Sequence, residues 1–596
     1  MQIIGHKKTD LTICQKFFIE KSIELLYYGT IDSYRVKLNN SKTILEELKY
    51  CINEFEIGRI KHFHTIKGKE KDKKGLVDEA IKFIIQENNY LNFITVSKDY
   101  ILTILREIND NNYKRVSATL DILLKENVDY LNKLIIQLKN LIDSDLHDFP
   151  HLEKIDRILN LLFSELVSKG FSKGFLYKIF YGIFVNTLKQ QSDFNLHFTN
   201  FAKRIENHES EHIVIFRIDT TLKVYDSISS INYSSIEMFD NIDGIELATR
   251  QSTELTTFKV VINNRKFIKC TLNAYDYLSA LKKARNMLAE YLDVLNLGLS
   301  DEFLHIHNRV LVIDQRSPRK GGFQNNVNIL DGKYKVEKGR YIHFTSKLPT
   351  LLGNPNIRNE SKEKIKSAIR YLRLGNQSTE VEHKFINYWI GLEYLFSNYE
   401  SQSTINRLKE HFINSHCLAY VKRNLLAFKN NLKNIESAKL SLLTEFHHTD
   451  HEDLKSETFY QQVWDLLLVD YPLIAYRAYK LKSWFFETGK PNSANNYILI
   501  HKDNLEIHFI RIYRLRNEII HDAATNTNNE LIASNLRYYL TFILNEIIDY
   551  LYNNLSEKVS IEKYFIENEI KMGNLQHQKF LLNKMIEYDC SIDFIS

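Results

Sequence analysis

The segment EIHFIRIYRLRNEIIHDAATNTNNE (506–530) changes character halfway along. Its first part reads as the late turns of a helix carrying Arg516, Asn517 and His521 in an R-N-x-x-x-H pattern. A polar loop follows at once, and then a second apolar helix, LIASNLRYYLTFILNEIIDYL. Spacing alone carries little weight in a chain with 21 histidines. At 100° per residue Asn517 and His521, four apart, share a helix face. Arg516 lies about 140° from His521 and Arg514 only about 20° from it. Arg514 is therefore also a legal R-x6-H partner. For both arginines the plain alternative is an ion pair with carboxylates on neighbouring helices.

The rest of the chain supplies the context. Of 596 residues, 19 are Gly and 6 are Pro, about 3% and 1% against average usage near 7% and 5%. So few turn-makers predict a mainly α protein and argue against an all-β sandwich or Pro/Gly-rich disorder. With 79 basic and 74 acidic residues the net charge is +5, which permits nucleic-acid binding without demanding it. The five cysteines are odd in number and contain no CxxC pair, as expected of a reducing compartment without a Cys-based zinc site. The start, MQIIGHKKTDLTIC, lacks the apolar core of a signal peptide. No run of about 18 apolar residues appears. A soluble, cytoplasmic protein with no membrane partner is expected.

Three regions are expected: a helical N-terminal region (1–208), an α+β middle domain with a loop-rich linker (209–357) and a helical C-terminal domain (358–596). In 151–168 the residues Ile155, Ile158, Leu159, Leu162 and Leu166 line one helix face. Single helices are expected at 78–107, 116–142 and 459–486. In the middle, 212–226 and 309–314 read as strands, 257–272 as two strands joined at Asn263–Asn264, and 274–297 as a helix. Pro and Gly concentrate in 317–355, which predicts a linker. Beyond it, 361–375 reads as a helix ended by Gly375. Thr379 and Glu382 offer a capping box for the next helix, which carries Phe385, Tyr388, Trp389, Leu392 and Phe396. Within that helix Glu393 sits among apolar residues, so it either holds a motif arginine or faces solvent. The histidines in HHTDHED (447–453) and at His305 and His307 read as solvated positions rather than metal ligands. The Lys-rich run at 66–75 reads as a solvated loop. Phosphate-loop, dinucleotide, zinc-protease and serine-hydrolase motifs do not occur.

The R-N-x-x-x-H motif, the helix FINYWIGLEYLFSN (385–398) and the order of helices around them resemble the HEPN superfamily of ribonucleases, and within it the Apea-like HEPN group. The similarity spans roughly 360–555, about a third of the chain. It implies a C-terminal HEPN-type helical bundle and a metal-independent endoribonuclease needing no cofactor. In such enzymes the ribose 2′-OH attacks the adjacent phosphate, leaving a 2′,3′-cyclic phosphate and a 5′-OH. The family pattern makes His521 the general acid or base and Arg516 the holder of the phosphate. Asn517 orients these groups, Arg514 is a reserve phosphate contact, and Glu393 is a supporting residue. HEPN sites form where two such domains meet, so the single motif implies a homodimer or larger homo-oligomer. The substrate would be tRNA or other cellular RNA. The first 350 residues would detect a trigger, a phage-derived one included, in an anti-phage or stress-defence effector. Two other classes fit the same residues: a non-catalytic RNA-binding scaffold that keeps the fold, and an antitoxin-like module serving a separate enzyme.

Overall fold

The computed structural model of the chain describes residues 10–27, 40–60, 66, 75–86, 96–125, 129–187, 193–206, 208–229, 235–261, 265–299, 304–316, 321–325, 338–378, 380–397, 404–448, 450–486, 493–522, 530–576 and 585–587. The protein is mainly helical, with one small antiparallel sheet.

The N-terminal helices start where the sequence supplies caps. Thr12 and Asn40 form reciprocal capping boxes with Gln15 and Thr43, and Asp148 accepts from the His151 amide. The stripe in Phe149–Ser168 is buried as expected, with Ile155, Leu159, Leu162 and Leu166 at 0% exposure. Among the described residues 78–107 and 116–142 are not single helices: Leu76–Gln86 and Lys98–Glu107 are separate, as are Tyr113–Lys125 and Tyr130–Ile142. The buried core running from Leu11 to Ile205 is not closed within this segment. Leu473 and Tyr476 of the C-terminal part complete it.

The sheet has the order β2–β3–β1–β4–β5, from β1 (Ser210–Thr220), β2 (Ile236–Phe239), β3 (Arg265–Ala274), β4 (Leu304–Asp314) and β5 (Gly322–Asn325). Val214 of β1 is opposite Cys270 of β3 and Val312 of β4. Helix Tyr277–Leu299 covers one face through Leu281, Ala284 and Leu288. The first of the two strands expected in 257–272 is not found among the described residues: 257–259 close the helix Thr249–Lys259, whose Leu255 and Phe258 cover the other face. These two apolar residues are three apart, a helical rather than a strand period. Asn263 and Asn264 lie outside the described residues. The strand expected to reach 226 stops at Thr220, and Leu222–Ser229 is helical.

In the C-terminal part, Lys338–Gly353 is helical where a linker was expected, with Pro349 inside it. The helix begun at Asn359 runs through Gly375 to Gln377. Gly375 is therefore a packing position and not a terminator: a Cβ there would lie 2.6 Å from Tyr388 Cδ1. Helix Val381–Leu395 carries Glu380 at its N-cap without a side-chain cap bond, and Glu382 in its first turn. Thr379, the expected cap, lies outside the described residues. The span 459–486 is divided into Glu457–Leu467 and Pro472–Phe486, with Pro472 at the first helical position, where a missing N–H does no harm. Three further long helices follow: Ser493–Asp522, Glu530–Asn553 and Ile561–Gln576.

Candidate functional site

Helix Ser493–Asp522 carries the whole R-N-x-x-x-H motif, so the backbone of His521 is helical. The His521 side chain lies outside the described residues. Arg516 and Asn517 are both half-buried, and Arg516 Nη1 donates to Asn517 Oδ1 at 3.1 Å. The helix is seated against Val381–Leu395 through Tyr513 and the fully buried Trp389, whose ring centroids are 6.0 Å apart.

Glu393 takes neither of its expected roles. It is half-buried and accepts from the Trp389 indole N–H at 2.8 Å, one turn back on the same helix. No ion pair of Glu393 is found among the described residues. Its position follows from the local sequence: the i, i+4 spacing places the carboxylate below the only polar atom of a buried indole.

Arg514 is held by carboxylates. It pairs with Glu47 from the N-terminal helix Ser41–Glu56, and its Nε lies 3.7 Å from Glu518 Oε1. Three residues earlier, Arg511 makes a two-pronged contact with Glu47, Nε to Oε1 at 3.1 Å and Nη2 to Oε2 at 2.9 Å. It also reaches Glu79 of helix Leu76–Gln86 at 2.8 Å. Burial works to raise the Glu47 carboxyl, but the Arg511 and Arg514 charges outweigh it and hold it down to about 2. Glu47 is thus an anion at any working pH, and Arg514 is occupied as an ion-pair partner in this state.

Other groups near the motif helix were not evident from the sequence. His501 and His508, seven residues apart on it, are both buried. His501 Nε2 meets His416 Nδ1 at 3.0 Å, and His508 Nδ1 meets the Tyr539 hydroxyl at 2.8 Å. Burial, then the nearby Arg511 charge, pushes His508 down to about 3, and burial pushes His416 and His501 far down as well. Nothing in the sequence marks them, because their partners come from other helices. Lys384, buried in the first turn of Val381–Leu395, is pushed down to about 8 by burial and then by the Arg285 and Arg537 charges.

Of the minor candidates, the 447–453 loop is folded onto Lys429, whose fully buried ammonium lies 2.6 Å from Asp453. His307 Nε2–H donates to Asp219 at 2.8 Å, and Asp219 also accepts from Arg265 at 3.0 Å, on a polar end of the sheet. The described residues contain no group of three or more His, Cys, Asp or Glu arranged to hold a metal. No described helix is long and apolar enough to cross a membrane. Compared with family models, curated proteins and solved structures, the chain finds no match.

Proposed function

We infer that the C-terminal helical part is a HEPN-type, metal-independent endoribonuclease, and that the whole chain is an anti-phage or stress-defence effector whose N-terminal region senses or restrains. One observation carries this reading. Arg516 and Asn517 are hydrogen-bonded neighbours, half-buried, on the last turns of a helix that continues through His521.

The chemistry follows from the residue types. His521 takes the proton of a ribose 2′-OH as that oxygen attacks the adjacent phosphorus. The bond from phosphorus to the 5′ oxygen breaks, and a second His521, supplied across a homodimer, protonates the leaving oxygen. The products are a 2′,3′-cyclic phosphate and a 5′-OH. Arg516 donates to the non-bridging oxygens, where negative charge develops. Asn517 holds the guanidinium in place by accepting from it.

The test is cleavage of tRNA or total RNA in EDTA by wild type, His521→Ala and Arg516→Ala, with the product ends identified. Each substitution is expected to slow cleavage by about 100-fold or more. Equal cleavage by all three overturns the assignment. The engagement of Arg511 and Arg514 by carboxylates favours a second reading, a non-catalytic RNA-binding scaffold. That reading predicts equal growth of cells overexpressing wild type and His521→Ala.

A further inference from the structure

Two acids from the N-terminal region, Glu47 on Ser41–Glu56 and Glu79 on Leu76–Gln86, meet Arg511 and Arg514 of the motif helix. All four side chains are largely buried, Glu79 at 8% and Arg514 at 13% exposure. Higher on the same helix, Lys82 Nζ donates to Asn504 Oδ1 at 3.3 Å. The N-terminal helices therefore grip the motif helix along several turns, ending two residues before Arg516.

A buried ion cluster is a weak way to add stability, because its desolvation cost offsets most of the attraction. Its strength is positional: four charges must stay in register or be left buried without partners. A carboxylate fork on a guanidinium also presents the same two-oxygen geometry as a phosphate. Arg514 has a second acid in reach, Glu518, one turn along its own helix. Loss of Glu47 would not leave Arg514 without a counter-charge. The described acids of Arg511, by contrast, both lie in the N-terminal region.

We propose that the N-terminal helical region restrains the motif helix, with Glu47 and Glu79 holding Arg511 and Arg514 as phosphate oxygens would. On release Arg514 changes partner from Glu47 to Glu518, and the motif end of the helix is freed to engage RNA. This rests on the ribonuclease reading of the same helix.

The experiment uses the full chain and two variants, Glu47→Gln and the double variant Glu47→Gln with Glu79→Gln. Amide hydrogen exchange and RNA cleavage in EDTA are both measured. Amides of 511–520 are expected to exchange about tenfold faster in the double variant, the scale of losing charge-assisted bonds from a locally opening segment. Amides of 277–299 should be unchanged, and cleavage should rise. Unchanged exchange at 511–520 overturns the restraint. So does an equal acceleration in every helix, which marks the cluster as a general stabiliser. Should the double variant not fold, Glu47→Gln alone decides by the same criteria, since Glu79 still holds Arg511. Local acceleration with no cleavage by wild type or variant leaves the restraint standing and removes the ribonuclease reading.

Discussion

His508 is a buried imidazole whose described hydrogen-bond partner is the Tyr539 hydroxyl, and its pKa falls from 6.5 to about 3 on folding. A group with a depressed folded pKa contributes stability that is full above the unfolded pKa and is lost as pH falls toward the folded one. Here the window runs from pH 6.5 down to about 3, with His416 and His501 shifted in the same direction. Each group adds a slope of up to about 1.4 kcal/mol per pH unit. The urea midpoint should therefore drop between pH 7.5 and 4.5, and His508→Gln, which keeps a bond to Tyr539, should lessen the drop. An identical pH profile for the variant would show that His508 does not contribute. At Gly375 two effects compete. Alanine in a helix gains about 1 kcal/mol over glycine, but its methyl would overlap the fully buried Tyr388 ring, and overpacking costs about 1–3 kcal/mol. Gly375→Ala is expected to lower the unfolding free energy, and a raised urea midpoint would contradict it. Neither role could be read from the sequence. A lone histidine or glycine has no pattern, and the deciding neighbours lie on other helices.

Elements were legible where their own residues fix them and illegible where a neighbour does. The stripe of Phe149–Ser168 and the run RVLVID of β4 needed no outside information. The start of 257–272 was misread as a strand because Val260, Val261 and Ile262 are β-branched, while Leu255 and Phe258 of helix Thr249–Lys259 pack at a helical period across the sheet face. Helix Pro472–Phe486 shows the same dependence at its start. Its Leu473 amide is capped by Glu20 of the N-terminal helix Ile13–Leu26, N to Oε2 at 3.0 Å. Burial pushes the Glu20 carboxyl up to about 8, against the pull of that amide. The cap is thus largely a neutral acceptor near pH 7. Glu20→Gln, which keeps an acceptor, should change stability by no more than about 0.5 kcal/mol, whereas Glu20→Ala should cost about 1–3 kcal/mol. Denaturant titration of the two variants separates the cases, and equal losses would refute the capping role.

At the scale of the whole molecule, the composition correctly announced a mainly helical chain, and the strand-like stretches of the middle region announced the small sheet. It did not announce how the first and last regions are fastened together. The fastening consists of buried polar contacts, which leave no periodic signal in either segment. Arg477 pairs with Glu24, Tyr476 donates to Asp156 at 3.0 Å, and Lys16 donates to the Val469 carbonyl at 2.9 Å. Arg511 and Arg514 add the Glu47 and Glu79 contacts, and Leu473 and Tyr476 sit within the N-terminal core. A fragment of residues 338–596 would expose both apolar side chains, at about 1.5–3 kcal/mol for the leucine alone. It would also remove the N-terminal acids that pair with Arg477 and Arg511 and leave Arg514 with Glu518, where removing one partner from a buried pair costs about 3–5 kcal/mol. Either loss is a large share of the ~5–15 kcal/mol that holds a domain folded. The fragment should therefore be insoluble, or lack a cooperative thermal transition, when expressed alone. Co-expression with residues 1–206 should restore both solubility and the transition, because the missing surface is supplied in trans. A fragment that melts cooperatively on its own, at the temperature of the full chain, would show that these contacts only link two independent bodies. The N-terminal acids could not then hold the motif helix in place.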